Sequence, residues 1–153
     1  MKKISLIGSH LKKIYRLYSV ELLERLQERG FLDLRPSFLE ILMYLCDNDS
    51  PSIKDIGVAC GLKKQTMTSH LNELENRGYI IRKTGSEDRR EQRVVLTDYG
   101  YKFKLTLMEV VSELEIKYIN LIGSVEIDRV VHVLENFYSK IKETSDEAQQ
   151  KLI

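Results

Sequence analysis

Between Ser52 and Thr97 the sequence changes its periodicity twice, and this change restricts the fold more than any other feature of the chain. Ser52 stands at an N-cap position with Asp55 three residues on, and Ile53, Ile56, Ala59 and Cys60 give one apolar side before Gly61 breaks the pattern. A second stripe of Met67, Leu71 and Leu74 follows almost at once and closes at Arg77-Gly78, a basic last turn with a glycine C-cap. Two short helices around a tight glycine turn predict a helix-turn-helix. Beyond Gly78 the pattern becomes that of strands. Tyr79–Lys83 and Arg93–Thr97 are β-prone runs separated by a long charged segment, so a hairpin is expected there.

Helical stripes flank this centre on both sides. Ile4, Ile7, Leu11, Ile14, Tyr18, Leu22 and Leu26 recur at three- and four-residue steps and predict one long helix ending near Arg29-Gly30. Pro36 suits a first helical position, and Phe38, Ile41, Leu42 and Leu45 continue a second helix that stops at Asp47-Asn48-Asp49. Thr97 or Asp98 caps a fifth, with Leu107, Met108, Val111, Leu114, Tyr118 and Leu121 as its stripe. It ends near Gly123-Ser124, and Ile127, Val130, Leu134, Phe137 and Ile141 mark a sixth. The expected fold is mainly α, about six helices with a small β-hairpin wing: a winged helix-turn-helix. Residues 36–97 form its DNA-binding lobe, 1–30 and 98–143 are dimerisation helices, and 144–153 read as a frayed polar tail. A compact winged helix does not need such long stripes at both ends. Packing them against a second copy would bury them and supply two-fold symmetry, so a homodimer is expected.

The 153 residues, 42% hydrophobic and 31% charged, describe one ordinary globular domain. A net charge of +1 is silent about nucleic acid, so the distribution of charge has to be asked instead. From Gly61 to Thr97 eight basic residues stand against five acidic ones, which concentrates positive charge on the helix-turn-helix and hairpin. The apolar run Ile4–Ile7 is too short for a signal peptide or membrane span, so a cytoplasmic protein without a membrane partner is expected. Cys46 and Cys60 lie in predicted helices without metal or CxxC spacing. Two buried thiols are expected, with a redox switch as the alternative. His10, His70 and His132 are scattered, and no Gly-rich phosphate loop or nucleophile constellation appears. No metal, cofactor or catalytic site is therefore expected.

Opposite Met67, the second short helix presents Gln65, Ser69, Asn72 and Asn76, flanked by Thr66, Thr68 and Glu73. Short donors and acceptors near the N-terminus of a helix suit base edges in a major groove, and Lys63 and Lys64 stand where phosphates would be met. His70 lies toward the buried side and is expected to be a partly buried structural residue.

The stretch Asp88-Arg89-Arg90-Glu91-Gln92-Arg93-Val94-Val95-Leu96-Thr97, continued by Asp98-Tyr99-Gly100, resembles the D-x-R-x-x-x-V-x-L-T wing signature of the MarR family. Thr66-Met67-Thr68 and Leu74-Glu75-Asn76-Arg77-Gly78-Tyr79-Ile80 are similar to that family's recognition helix and its exit into the wing. The resemblance implies a dimeric transcription regulator whose recognition helix enters the major groove and whose wing arginine enters the minor groove. By position Arg90 is that arginine, Asp88 helps to hold the wing tip, and Arg89 is a phosphate contact. A guanidinium suits the negative potential of a narrow minor groove independently of any resemblance. The expected DNA contacts are thus Lys63, Lys64, Gln65, Thr66, Thr68, Ser69, Asn72, Asp88, Arg89 and Arg90.

Ser69, where the family often has arginine, and Glu73, where another basic residue is frequent, point to a different operator or weaker phosphate anchoring. The family's effectors often enter a crevice between dimerisation helices and DNA-binding lobe, which makes Tyr15, Tyr18, Phe38, Met43 and Tyr44 candidate lining residues, unless they are core. The expected function is sequence-specific binding of a pseudo-palindromic double-stranded operator, with repression by promoter occlusion and modulation by a small-molecule effector. The alternative is a winged-helix protein-interaction module, separated from the first reading by whether the 61–97 surface binds duplex with strong salt dependence.

Overall fold

The computed structural model describes residues 1–84 and 91–151. Along the chain come α1 (Lys3–Glu28), α2 (Pro36–Asp47), α3 (Ile53–Cys60), α4 (Lys64–Asn76), β1 (Ile80–Thr84), β2 (Gln92–Leu96), α5 (Asp98–Ile122) and α6 (Ser124–Lys151). They fall into two compact units, Met1–Val111 and the segment from Ser112 onward.

In the first unit the helix starts and stops follow from local chemistry. Pro36 opens α2 at a position that needs no N–H donor. Ser52 and Asp55 form a reciprocal capping box at α3: the Asp55 N–H donates to Ser52 Oγ at 3.0 Å and the Ser52 N–H to Asp55 Oδ2 at 3.2 Å. Gly61 ends α3 in the left-handed region at φ 64°, and the Leu62 N–H turns back to the Gly57 carbonyl at 2.9 Å, so α4 can start three residues later. Leu22, Leu26, Ile41, Leu42, Ile56, Leu71, Leu74 and Phe103 are essentially fully buried, and each contributes about 2 kcal/mol by leaving water.

The two strands pair antiparallel in the register Ile80↔Leu96 and Arg82↔Val94. A single bridge, Ser52↔Arg93, lays the lead-in to α3 along the other edge of β2, with the Val94 N–H donating to the Pro51 carbonyl at 3.0 Å. At the end of β2 the Thr97 N–H donates to the Tyr79 carbonyl at 3.0 Å, its hydroxyl donates to the Gly78 carbonyl, and Thr97 Oγ1 accepts from the Gly100 N–H at 3.1 Å. Thr97 thereby caps α5. Gly100 is required by close approach, because a Cβ there would lie 2.3 Å from the Tyr79 carbonyl oxygen. Phe31, Tyr79, Tyr99 and Phe103 close around this junction, with centroids as near as 4.8 Å for Tyr79–Tyr99.

Two of the expected stripes are only partly covered in the single chain, and one expectation is corrected. On α5 the buried positions of the first unit are Phe103, Leu107 and Val110, while Met108 and Val111 are exposed; in the second unit Leu114 is buried. Apolar residues occupy neighbouring positions there, so Leu107 and Leu114 of the expected stripe are buried while Met108 and Val111 lie on an uncovered side. On α1 only Leu22 and Leu26 of the expected stripe are buried, and Ile4, Leu11 and Ile14 are exposed. The segment from Thr144 to Lys151 is helical rather than frayed: it continues α6 through Glu147, Ala148, Gln149 and Gln150, good helix formers without glycine or proline. Among the described residues, no helix is long and apolar enough to cross a membrane.

Candidate nucleic-acid interface

The α4 helix separates into two faces as its period demands. Met67, Leu71 and Leu74 are buried, and Lys63, Lys64, Gln65, Thr66, Thr68, Ser69, Asn72 and Asn76 are exposed. No side chain caps its N-terminus, so the first-turn N–H groups and the positive end of the helix dipole stand beside Lys63 and Lys64. Thr68 donates its hydroxyl to the Lys64 carbonyl at 2.9 Å, which leaves the oxygen lone pairs as its outward function.

Among the described residues of this lobe, Arg77, Arg82 and Arg93 are each held by acids. Arg82 donates through Nε and Nη2 to Glu75 Oε2 at 2.9 and 2.5 Å, and Nη2 also reaches Asn72 Oδ1 at 2.8 Å. Arg77 bridges Glu73 at 3.4 Å and Asp33 at 3.4 Å, and its guanidinium lies 5.1 Å from the Phe38 ring centroid. Arg93 pairs with Glu91 at 3.2 Å. Lys54, Lys63, Lys64 and Lys83 form no ion pair with an acid among the described residues, so they add uncompensated positive charge to this face. Glu73, the acidic departure from the family pattern, is engaged by Arg77.

A groove of about 1080 Å³ runs between α3, the start of α4 and the hairpin root, lined by Ile53, Val58 and Leu62 together with Lys54, Lys63 and Lys64. Asp88, Arg89 and Arg90 lie outside the described residues. Arg82 is the residue that sequence reasoning missed. It counted as one cation among eight, and only the strand register shows that it meets α4.

Residues 39–91 match the family model described as MarR family. The HTH-type transcriptional regulator SarZ of Staphylococcus aureus (strain MRSA252) is 31% identical over 108 residues, covering 69% of this chain and 70% of SarZ. The chain belongs to the MarR family.

Solved MarR-like structures agree in fold. A MarR transcriptional regulator from Methanosarcina mazei Go1 superposes with a TM-score of 0.78 at 20% identity, covering 91% of this chain and 98% of that one. Reduced AbfR bound to DNA gives 0.67 at 21% identity, covering 92% and 93%.

In this MarR chain the five effector candidates do not share one environment. Tyr15 is exposed, Tyr18, Met43 and Tyr44 are half-buried, and Phe38 is 2% exposed. Phe38 follows the core alternative: His70 meets its ring edge-on at 5.3 Å, and Arg35 and Arg77 lie against it. His70 is the half-buried structural residue expected from its place on α4. Cys46 and Cys60 are half-buried free thiols rather than fully buried ones. Burial pushes the Cys46 thiol up to about 11, against the opposing pull of Lys104. Among the described residues, no group of three or more His, Cys, Asp or Glu could hold a metal ion.

Proposed function

We propose that this chain is a cytoplasmic homodimeric repressor that reads a pseudo-palindromic operator with α4 and the hairpin, under the control of a small-molecule effector. As a MarR-family member it is a DNA-binding transcriptional regulator. The observation that carries the reading is the outward face of α4, where Gln65, Thr66, Ser69 and Asn72 stand exposed beside Lys63 and Lys64 over a buried Met67, Leu71 and Leu74. In a major groove those side chains meet base edges, and the two lysines meet phosphates at the positive helix end. From the wing, Arg90 enters the minor groove, Arg89 touches phosphate, and Asp88 holds the tip.

Exposed apolar side chains support the homodimer. Ile4, Ile14 and Leu17 on α1, and Val125, Val130, Phe137 and Ile141 on α6, are uncovered in the single chain. Burying them against a second copy removes a surface too apolar for water and gives the operator its dyad. Tyr15, Tyr18, Met43 and Tyr44 remain the effector candidates, and occupancy there changes the spacing of the two recognition helices.

Selection from random duplex DNA, with sedimentation of the free protein, tests the reading. A dimer is expected, together with an imperfect palindrome whose half-site centres lie roughly 34–36 Å apart. Lys63→Ala should lower the salt slope by about 1 on every duplex, and Arg90→Ala should lose most affinity at A·T-rich flanks. A monomer at micromolar concentration, or a selected site without a dyad, overturns the corresponding part.

A further inference from the structure

Asn72 is exposed at the middle of the reading face, yet its amide is not free to turn. Arg82 Nη2 lies 2.8 Å from Asn72 Oδ1 and 2.5 Å from Glu75 Oε2, while Arg82 Nε holds the same carboxylate oxygen at 2.9 Å. Glu75 anchors the guanidinium, one helical turn along α4 from Asn72. A guanidinium only donates hydrogen bonds. The amide oxygen must therefore face Arg82, because the opposite orientation would set N–H groups against N–H groups. No acceptor among the described residues takes Asn72 Nδ2, which is turned away from Arg82.

We infer that Arg82 determines specificity by fixing the polarity of the Asn72 amide, so that its NH2 group meets the base edge and cytosine is rejected there. This rests on the DNA-binding reading above. A free asparagine chooses which end of its amide to present, and so adapts to an acceptor or a donor. Held by Arg82, Asn72 presents a donor at a fixed place. Guanine offers N7 and O6 to such a donor, thymine O4 and adenine N7, whereas cytosine offers only its N4 amino group. Donor then faces donor, and one N–H of the protein stays unpaired in a desolvated groove. Arg82 acts through Asn72 and is a positioning residue. Its charge is already matched by Glu75, which makes it a poor phosphate contact.

The test uses the full-length protein and the operator recovered by selection, with all four base pairs measured at each half-site position. For wild type, one position should disfavour cytosine on the strand facing α4 by about tenfold. Arg82→Met frees the amide to flip and should bring cytosine to within about twofold of the best base at that position, leaving other positions unchanged. Asn72→Asp keeps the contact with Arg82 but replaces the outward donor with an acceptor, and should reverse the preference toward cytosine. Thermal melts establish that each variant is folded, and Asn72→Asp decides the matter if Arg82→Met is not. Uniform loss of affinity in Arg82→Met with the preference intact, or an unchanged preference in Asn72→Asp, overturns the inference alone. Failure of wild type to select any duplex overturns the DNA-binding reading and this inference with it.

Discussion

The Tyr79 hydroxyl donates to the Asp33 carboxylate across 2.9 Å, fastening the turn after α1 to the residue that leaves α4. Burial first, and then hydrogen bonds with Tyr99 and Asp33, drive the Tyr79 phenol well above its ordinary range. A raised phenol favours the protonated form in the folded state, so its contribution is complete below the unfolded value of about 10 and is lost as pH rises further. Urea melts from pH 7 to 11 should show stability falling above about pH 10. Tyr79→Phe should cost about 1 kcal/mol at neutral pH and make the alkaline fall shallower.

Ser52→Ala should destabilise the chain by about 1 kcal/mol, since the hydroxyl satisfies a first-turn N–H of α3. The same hydroxyl, followed by the Ser52 backbone N–H, holds the Asp55 carboxyl below its ordinary value. That contribution is present above the unfolded value of about 3.9 and lost as pH falls. In a carboxyl NMR titration, Ser52→Ala should move Asp55 upward, and an unmoved Asp55 would contradict the capping box.

Gly100→Ala should be among the most damaging single changes. The new methyl would fall 2.3 Å from the Tyr79 carbonyl oxygen and 3.0 Å from the Leu96 side chain, and that carbonyl is already held by the Thr97 N–H at 3.0 Å. A loss of at least about 3 kcal/mol is expected in denaturant melts. Ordinary folding of the variant would show that the α5 start is looser than described.

Neither cysteine should behave as a fast redox sensor. Burial raises both thiols, Cys46 to about 11. At pH 7.5 alkylation of Cys46 should run on the order of a hundredfold more slowly than that of a free cysteine. A rate equal to the free thiol's would revive the redox switch.

The helix-turn-helix was legible because its signals are local. Ser52, Gly61 and the Met67–Leu71–Leu74 stripe each act within a few residues. The phase of α5 was not, since Phe103, Leu105, Leu107, Met108, Val110 and Val111 describe two overlapping stripes, and only tertiary contact selects one. Phe38 looked like a lining aromatic because the sequence does not show that His70, Arg35 and Arg77 close over it. The outward residues of α4 followed from helical period alone. The role of Arg82 depends on where β1 meets α4, which spacing along one element does not reveal.

Thr97 touches Gly78, Tyr79 and Gly100 at once, and this has a mechanical consequence. Torque applied to the first turn of α5 reaches the end of α4 through single hydrogen bonds, with no slack segment to absorb it. The outward face of α4 therefore cannot be re-aimed piecemeal from α5. Any rotation of the first α5 turn would carry the α4 exit and the hairpin root with it as one piece.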